Sequence, residues 1–142
     1  MAYFEWADDL VIDNGPIDED HHRLIDLVNE LHTATSQGSG HEVVASISER
    51  LITYTEQHFA REERIMAASH FQNLEEHKHA HQKMIAHLRV LQTKYINGSI
   101  TTASQLSTLL RDWLSLHIRR SDRELRDVLR LQKCPSCASS TP

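Results

Sequence analysis

In the stretch Tyr54-Thr55-Glu56-Gln57-His58-Phe59-Ala60-Arg61-Glu62-Glu63 a histidine and a carboxylate stand four residues apart. On a helix that spacing stacks both side chains on one face, one turn from each other. Val44, Ile47, Leu51, Ile65 and Met66 share the face by helical phase. His58 and Glu62 are therefore expected to point into an apolar interior. A charge there is costly unless it is paired or bound to a metal. The chain must fold so that other groups meet this pair in the core.

Three further stretches supply such groups. A first helix is expected from about Asp18, read as its N-cap, to about Gln37, where Gly38-Ser39-Gly40 stops it. Its apolar face is Leu24, Ile25, Leu27, Val28 and Leu31; His21 lies near that face and His22 points away. The second helix, from His41 to Ala68, carries the His58–Glu62 pair. A third should follow Asn73 and run to about Tyr95, with Asn73 and Glu76 at capping-box spacing. Its inner face holds His77, His81, Met84, Leu88, Leu91 and Tyr95, with His79 opposite and His87 at the flank. After the turn Asn97-Gly98-Ser99, a fourth begins near Thr102, where Gln105 completes another capping box. Leu106, Leu110, Trp113, Leu114, His117, Leu125 and Val128 share its inner side.

Four amphipathic helices joined by short connections predict an all-α fold, an antiparallel up-down four-helix bundle over residues 1–131. An irregular N-terminal arm, 1–16, ends in the breaker cluster Asn14-Gly15-Pro16, and its Tyr3, Phe4 and Trp6 should pack across the bundle. A short C-terminal tail, 132–142, reads as disordered and solvated. Its Cys134 and Cys137 lie too near the end to staple the core; a redox pair or half of a metal knuckle is the sharper reading. Ala138 stands where a haem-attachment motif needs histidine. A net charge of -5 gives no electrostatic case for nucleic acid. No apolar run reaches membrane-spanning length, so no membrane association is expected. The first residues lack the basic and apolar regions of a signal peptide, so the expected location is the cytoplasm.

The inward polar residues are His21, His58, Glu62, His77, His81 and His117, with Asp122 five residues after His117. Singly, a histidine on an apolar face is more often a satisfied core residue than a ligand. Their coincidence on four helices points to metal, since imidazole and carboxylate suit iron, zinc, copper or nickel. Five histidines and two carboxylates are too many for one tetrahedral ion and suit two ions with bridging carboxylates. Asp122 carries a condition. On a regular helix five residues turn it about 140° from His117, so its inward position requires a local π-bulge.

These pieces resemble the hemerythrins, in particular the single-domain bacterial branch, the bacteriohemerythrins. The matching segments are Ile17-Asp18-Glu19-Asp20-His21 with Leu24, His58-Phe59-Ala60-Arg61-Glu62-Glu63 with Met66, His77-Lys78-His79-Ala80-His81, and Trp113-Leu114-Ser115-Leu116-His117-Ile118 with Asp122. They span roughly residues 4 to 130, and all seven ligand positions carry the expected residue types. The resemblance implies a non-haem di-iron centre, oxo- or hydroxo-bridged, that binds O2 reversibly for transport, storage or delivery. One iron would take His77, His81 and His117. The other would take His21 and His58 and keep an open position, with Glu62 and Asp122 bridging. Leu24, Phe59, Trp113, Leu114 and Ile118 would form the apolar O2 pocket.

Two departures stand out. Asp20 occupies the position before the first ligand where the family commonly has glutamine, and Phe71-Gln72 lacks the family's aromatic–proline pair. Competing readings of the same centre are sensing of O2, redox state or nitric oxide, and di-iron oxidase or peroxidase activity; a structural zinc bundle fits the ligand number less well. Glu19 and His22, and Glu76 and His79, have the Glu-x-x-His spacing of ferritin-like oxygenases, but both histidines point outward by phase. The expectation is a monomeric O2-binding protein rather than an enzyme, served by an O2-consuming or reductase partner.

Overall fold

The structure is a computed structural model and describes residues 3–133. Four long helices form a bundle: α1 (Pro16–Ser36), α2 (His41–Ala68), α3 (Leu74–Ile96) and α4 (Thr102–His117). The last continues through a π-helical turn, Ile118–Asp122, into α5 (Arg123–Lys133) as one rod, since His117, Ile118 and Arg123 all keep right-handed helical dihedrals. α2 packs on α1 and α3, and α4 closes the ring against the same two. There is no strand among the described residues, and none of their helices is long and apolar enough to cross a membrane. The Cys134–Cys137 tail lies outside the described residues.

Short connections force the antiparallel order, and left-handed residues make them possible. Gly38 (φ +69°) lets Ser39 N–H reach back to Ala34 C=O, and Gly98 (φ +106°) lets Ser99 N–H reach Lys94 C=O. After α2 a non-glycine, His70 (φ +55°), takes the same role, with Phe71 N–H donating to Met66 C=O. The expected inner faces form the core; only Ile65, Trp113 and Val128 sit at its rim, half-buried.

The helix starts differ from expectation. α1 begins at Pro16, and Asp18 is not its cap. Asp13 caps it instead, its carboxylate accepting from the backbone N–H groups of Gly15, Ile17 and Asp18. Proline at the first helical position loses no hydrogen bond, which favours this earlier start. Asp18 is buried and turns back to accept from Ile12 and Asn14 N–H. Neither capping box forms. The Asn73 amide donates to Glu124 of α5 rather than capping α3, and the Thr102 hydroxyl donates to Ser99.

The arm lies on the bundle. The Phe4 backbone exchanges two hydrogen bonds with the Asn29 side chain, at 2.7 and 2.9 Å. Tyr3 stacks on His32 and Trp6 on His22, each with ring centroids 3.7 Å apart. A short 3-10 turn, Asp8–Leu10, buries Leu10 and sets Asp9 against Arg119 of the π turn.

Candidate metal centre

Helix phase delivers one or two potential donor groups from each helix to the same end of the bundle. His21 comes from the second turn of α1, His58 and Glu62 from the C-terminal half of α2, His77 and His81 from the start of α3, and His117 from the end of α4. All six are buried. Asp122 joins them because the rod widens after His117. The π turn adds a residue to the circuit and brings Asp122, fully buried, back to the inner face.

The donor atoms fall into two groups. In the first, His77 Nε2 lies 2.9 Å from His117 Nε2, which lies 3.1 Å from His81 Nε2. Glu62 Oε1 approaches His77 and His81 to 2.7 and 3.3 Å, and Asp122 Oδ1 approaches His77 and His117 to 3.0 and 3.3 Å. In the second, His21 Nε2 and His58 Nε2 are 3.0 Å apart. Glu62 Oε2 lies 3.2 Å from His58, and Asp122 Oδ2 lies 3.4 Å from His21. Each carboxylate thus gives one oxygen to each group.

The electrostatics suit cations. Burial, the largest influence, works against charge on His21, His58, Glu62, His77 and Asp122, yet mutual contact overcomes it. Asp122 and Glu62 push His21 up to about 10 and His77 to about 9, against burial. His58 is raised too, by Asp20 and Glu62. Glu62 is held well below the usual carboxylate range by the four imidazoles around it. Asp122 is lowered by His117 and His21 against both burial and the charge of Glu62. Glu62 Oε2 and both Asp122 oxygens are buried, yet no hydrogen bond of good geometry reaches them. Buried carboxylate oxygens without donors, facing clustered imidazole nitrogens, are what two metal ions between them would satisfy.

A supporting layer escaped the sequence reading. Asp20 Oδ2 accepts from His58 Nδ1 at 2.9 Å, and Glu63 Oε2 accepts from His81 Nδ1 at 2.8 Å. Each contact places the ring proton on Nδ1 and leaves Nε2 free to face the centre. Arg61 and Tyr54 hold Asp20 in turn, and these partners keep its carboxyl well below the usual range despite burial. The available signal was Asp20 itself, a charged residue in phase with Ile17 and Leu24 on the apolar stripe.

Two of the five expected pocket residues stack on histidines of this centre. Phe59 lies flat on His81, with centroids 3.7 Å apart and 1° between planes, and Trp113 stacks on His117 at 4.2 Å. Leu24, Leu114 and Ile118 are buried within one turn of His21 or His117 in sequence. A surface depression of about 400 Å³ between α2 and α3 is lined by Phe59, Ala60, His81 and Ile85 among others.

Comparison with known proteins agrees with this geometry. Residues 15–129 match the family model described as the hemerythrin HHE cation binding domain. A bacteriohemerythrin of Pseudomonas aeruginosa is 35% identical over 130 residues, covering 92% of this chain and 84% of that protein. One from Methylococcus capsulatus is 30% identical over 124 residues, 87% of this chain and 94% of the relative. A crystal structure of a hemerythrin variant superposes with a TM-score of 0.83 at 28% identity, covering 91% of this chain and 98% of the other.

Proposed function

The chain belongs to the hemerythrin family, and on that premise we propose that it binds O2 reversibly at a non-haem di-iron centre. His77, His81 and His117 would hold one iron and His21 and His58 the other, with the carboxylates of Glu62 and Asp122 shared between them. When bound, the iron pair supplies the redox-active, O2-binding chemistry.

One observation carries the reading: the two donor groups are unequal. The first offers three imidazoles and two carboxylate oxygens, the second two imidazoles and two carboxylate oxygens. The first half would therefore offer an ion one more protein donor than the second. The half with fewer donors, built on His21 and His58, would be the one able to take a small ligand. Leu24, Phe59, Trp113, Leu114 and Ile118 exclude water from the centre as a whole. A set with five imidazoles and only two carboxylates favours binding over O–O cleavage, which supports a carrier or store rather than an enzyme. Its partners would be O2 and a protein that consumes O2 or reduces the centre.

The test is optical. The iron-loaded, reduced protein is exposed to O2 without oxygen-consuming additives and then purged. A visible band that appears with O2 and leaves on purging is expected. Immediate irreversible oxidation, or turnover of peroxide or a reductant, would replace this reading with an oxidase or peroxidase.

A further inference from the structure

Four donor atoms converge on the carboxylate of Asp20. His58 Nδ1 and Arg61 Nε donate to Oδ2 at 2.9 and 2.8 Å, while Arg61 Nη2 and Tyr54 Oη donate to Oδ1 at 2.8 and 2.9 Å. The carboxylate is buried, on α1, and its partners all come from α2. The other histidine of the same half differs: His21 Nδ1 is buried and has no hydrogen-bond partner among the described residues. The half with fewer donors therefore has one imidazole backed by an anion and one with no such partner among the described residues.

A carboxylate behind a ligating imidazole does two things. It fixes the ring so that Nε2 faces the metal, and it makes that nitrogen a better electron donor. Stronger donation favours the more oxidised metal. A guanidinium that grips the same carboxylate in a bidentate pair draws on the same negative charge and weakens its pull on the imidazole proton. Arg61 is about one-third exposed, so this counterweight lies between the buried ligand and the surface.

We propose that Asp20 and Arg61 are opposed positioning residues that act through His58 to set the reduction potential of the iron half that keeps the open position. Asp20 lowers that potential and Arg61 raises it, with Tyr54 a weaker ally of Arg61. This rests on the di-iron reading above. The bland alternative is an ion pair that merely ties α1 to α2, in which case losing either partner loosens the same contact.

The full chain, loaded with iron, is compared with Asp20→Asn, Arg61→Gln and Tyr54→Phe. Iron per chain is measured first, and then the midpoint potential by mediated redox titration. Two irons in the parent chain support the di-iron reading; fewer would overturn that reading and, with it, the premise here. Given two irons, Asp20→Asn should shift the midpoint upward. Arg61→Gln should shift it downward, and Tyr54→Phe downward by less. Opposite signs are the signature that a structural tie cannot produce. Shifts of one sign, or no shift in variants that still hold two irons, would overturn the proposal. If Asp20→Asn fails to hold iron, Arg61→Lys takes its place: it keeps a cation beside Asp20, so it should undo most of the downward shift of Arg61→Gln, and no recovery would overturn the proposal.

Discussion

Glu62 and Asp122 face each other across the bundle core, and each splits its two oxygens between the same two groups of histidines. Glu62 places Oε1 2.7 Å from His77 and Oε2 3.2 Å from His58. Asp122 places Oδ1 3.0 Å from His77 and Oδ2 3.4 Å from His21. The arrangement couples the halves: neither carboxylate can be removed without taking a donor from both. The two residues reach it by different routes, Glu62 from a regular helix and Asp122 only through the π turn.

That sharing makes the cost of a substitution depend on where the residue sits. His77→Ala removes a donor from one half and should leave at most one firmly held iron. Glu62→Gln removes charge from both and should leave neither held tightly. Iron per chain after desalting distinguishes them. Two irons in either variant would overturn the ligand assignment.

The metal-free protein should be sensitive to alkali. His21 is pushed up to about 10 and His77 to about 9 by Asp122 and Glu62, against burial. Groups raised in this way contribute stability that is complete below the ordinary histidine value of about 6.5 and fades as pH climbs through 9 to 10. Glu62 and Asp122 are lowered, so their contribution is present above the ordinary carboxylate range and is lost only in acid. The melting temperature of the metal-free chain should therefore fall between about pH 6.5 and about pH 10. With metal bound the imidazoles are neutral ligands, and this fall should disappear. Melting curves of the metal-free and zinc-loaded chain across that range provide the check.

The inner faces of the four helices were legible because apolar residues at helical spacing carried His21, His58, His77, His81 and His117 with them. Asp122 was legible only as a conditional, since a π turn has no periodicity of its own and five residues on a regular helix point the wrong way. The caps were misread where several candidates competed. Asp13 and Asp18 both precede the apolar run of α1, and Pro16 decides between them. Asn73 has capping spacing, but its amide finds Glu124, a residue distant in sequence. Asp20 and Glu63 were missed for the same reason. Their partners lie on neighbouring helices, and helical phase says nothing about contacts between helices.

Leu114 tests the dryness of the pocket. It is buried one turn before His117. Leu114→Ala should cost about 2–5 kcal/mol as a cavity mutation. It should also let water approach the centre and speed oxidation of the O2-bound protein to its inert form. An unchanged autoxidation rate, followed optically in air, would mean the leucine lines the core but not the ligand pocket.

The arm offers a separate stability test. Its attachment depends on Asn29, whose side chain accepts from Phe4 N–H and donates to Phe4 C=O. Two net hydrogen bonds of about 1 kcal/mol each would be lost in Asn29→Ala. That is roughly a 30-fold change in the equilibrium between attached and released arm. Tyr3 on His32, Thr108 and Arg111, the Trp6–His22 stack, the Asp9–Arg119 ion pair and the buried Phe4 and Leu10 would then hold the segment. Hydrogen exchange at the Leu10 amide, which donates to Ala7 within the arm, should accelerate by about that factor. Iron content should stay unchanged, because no arm residue touches a ligand in the hydrogen bonds and ion pairs described. Unchanged exchange at Leu10 would show that the rings and the ion pair hold the arm and that the Asn29 clip is dispensable. Loss of iron would show instead that Asp9, through Arg119, steadies the π turn on which Asp122 depends.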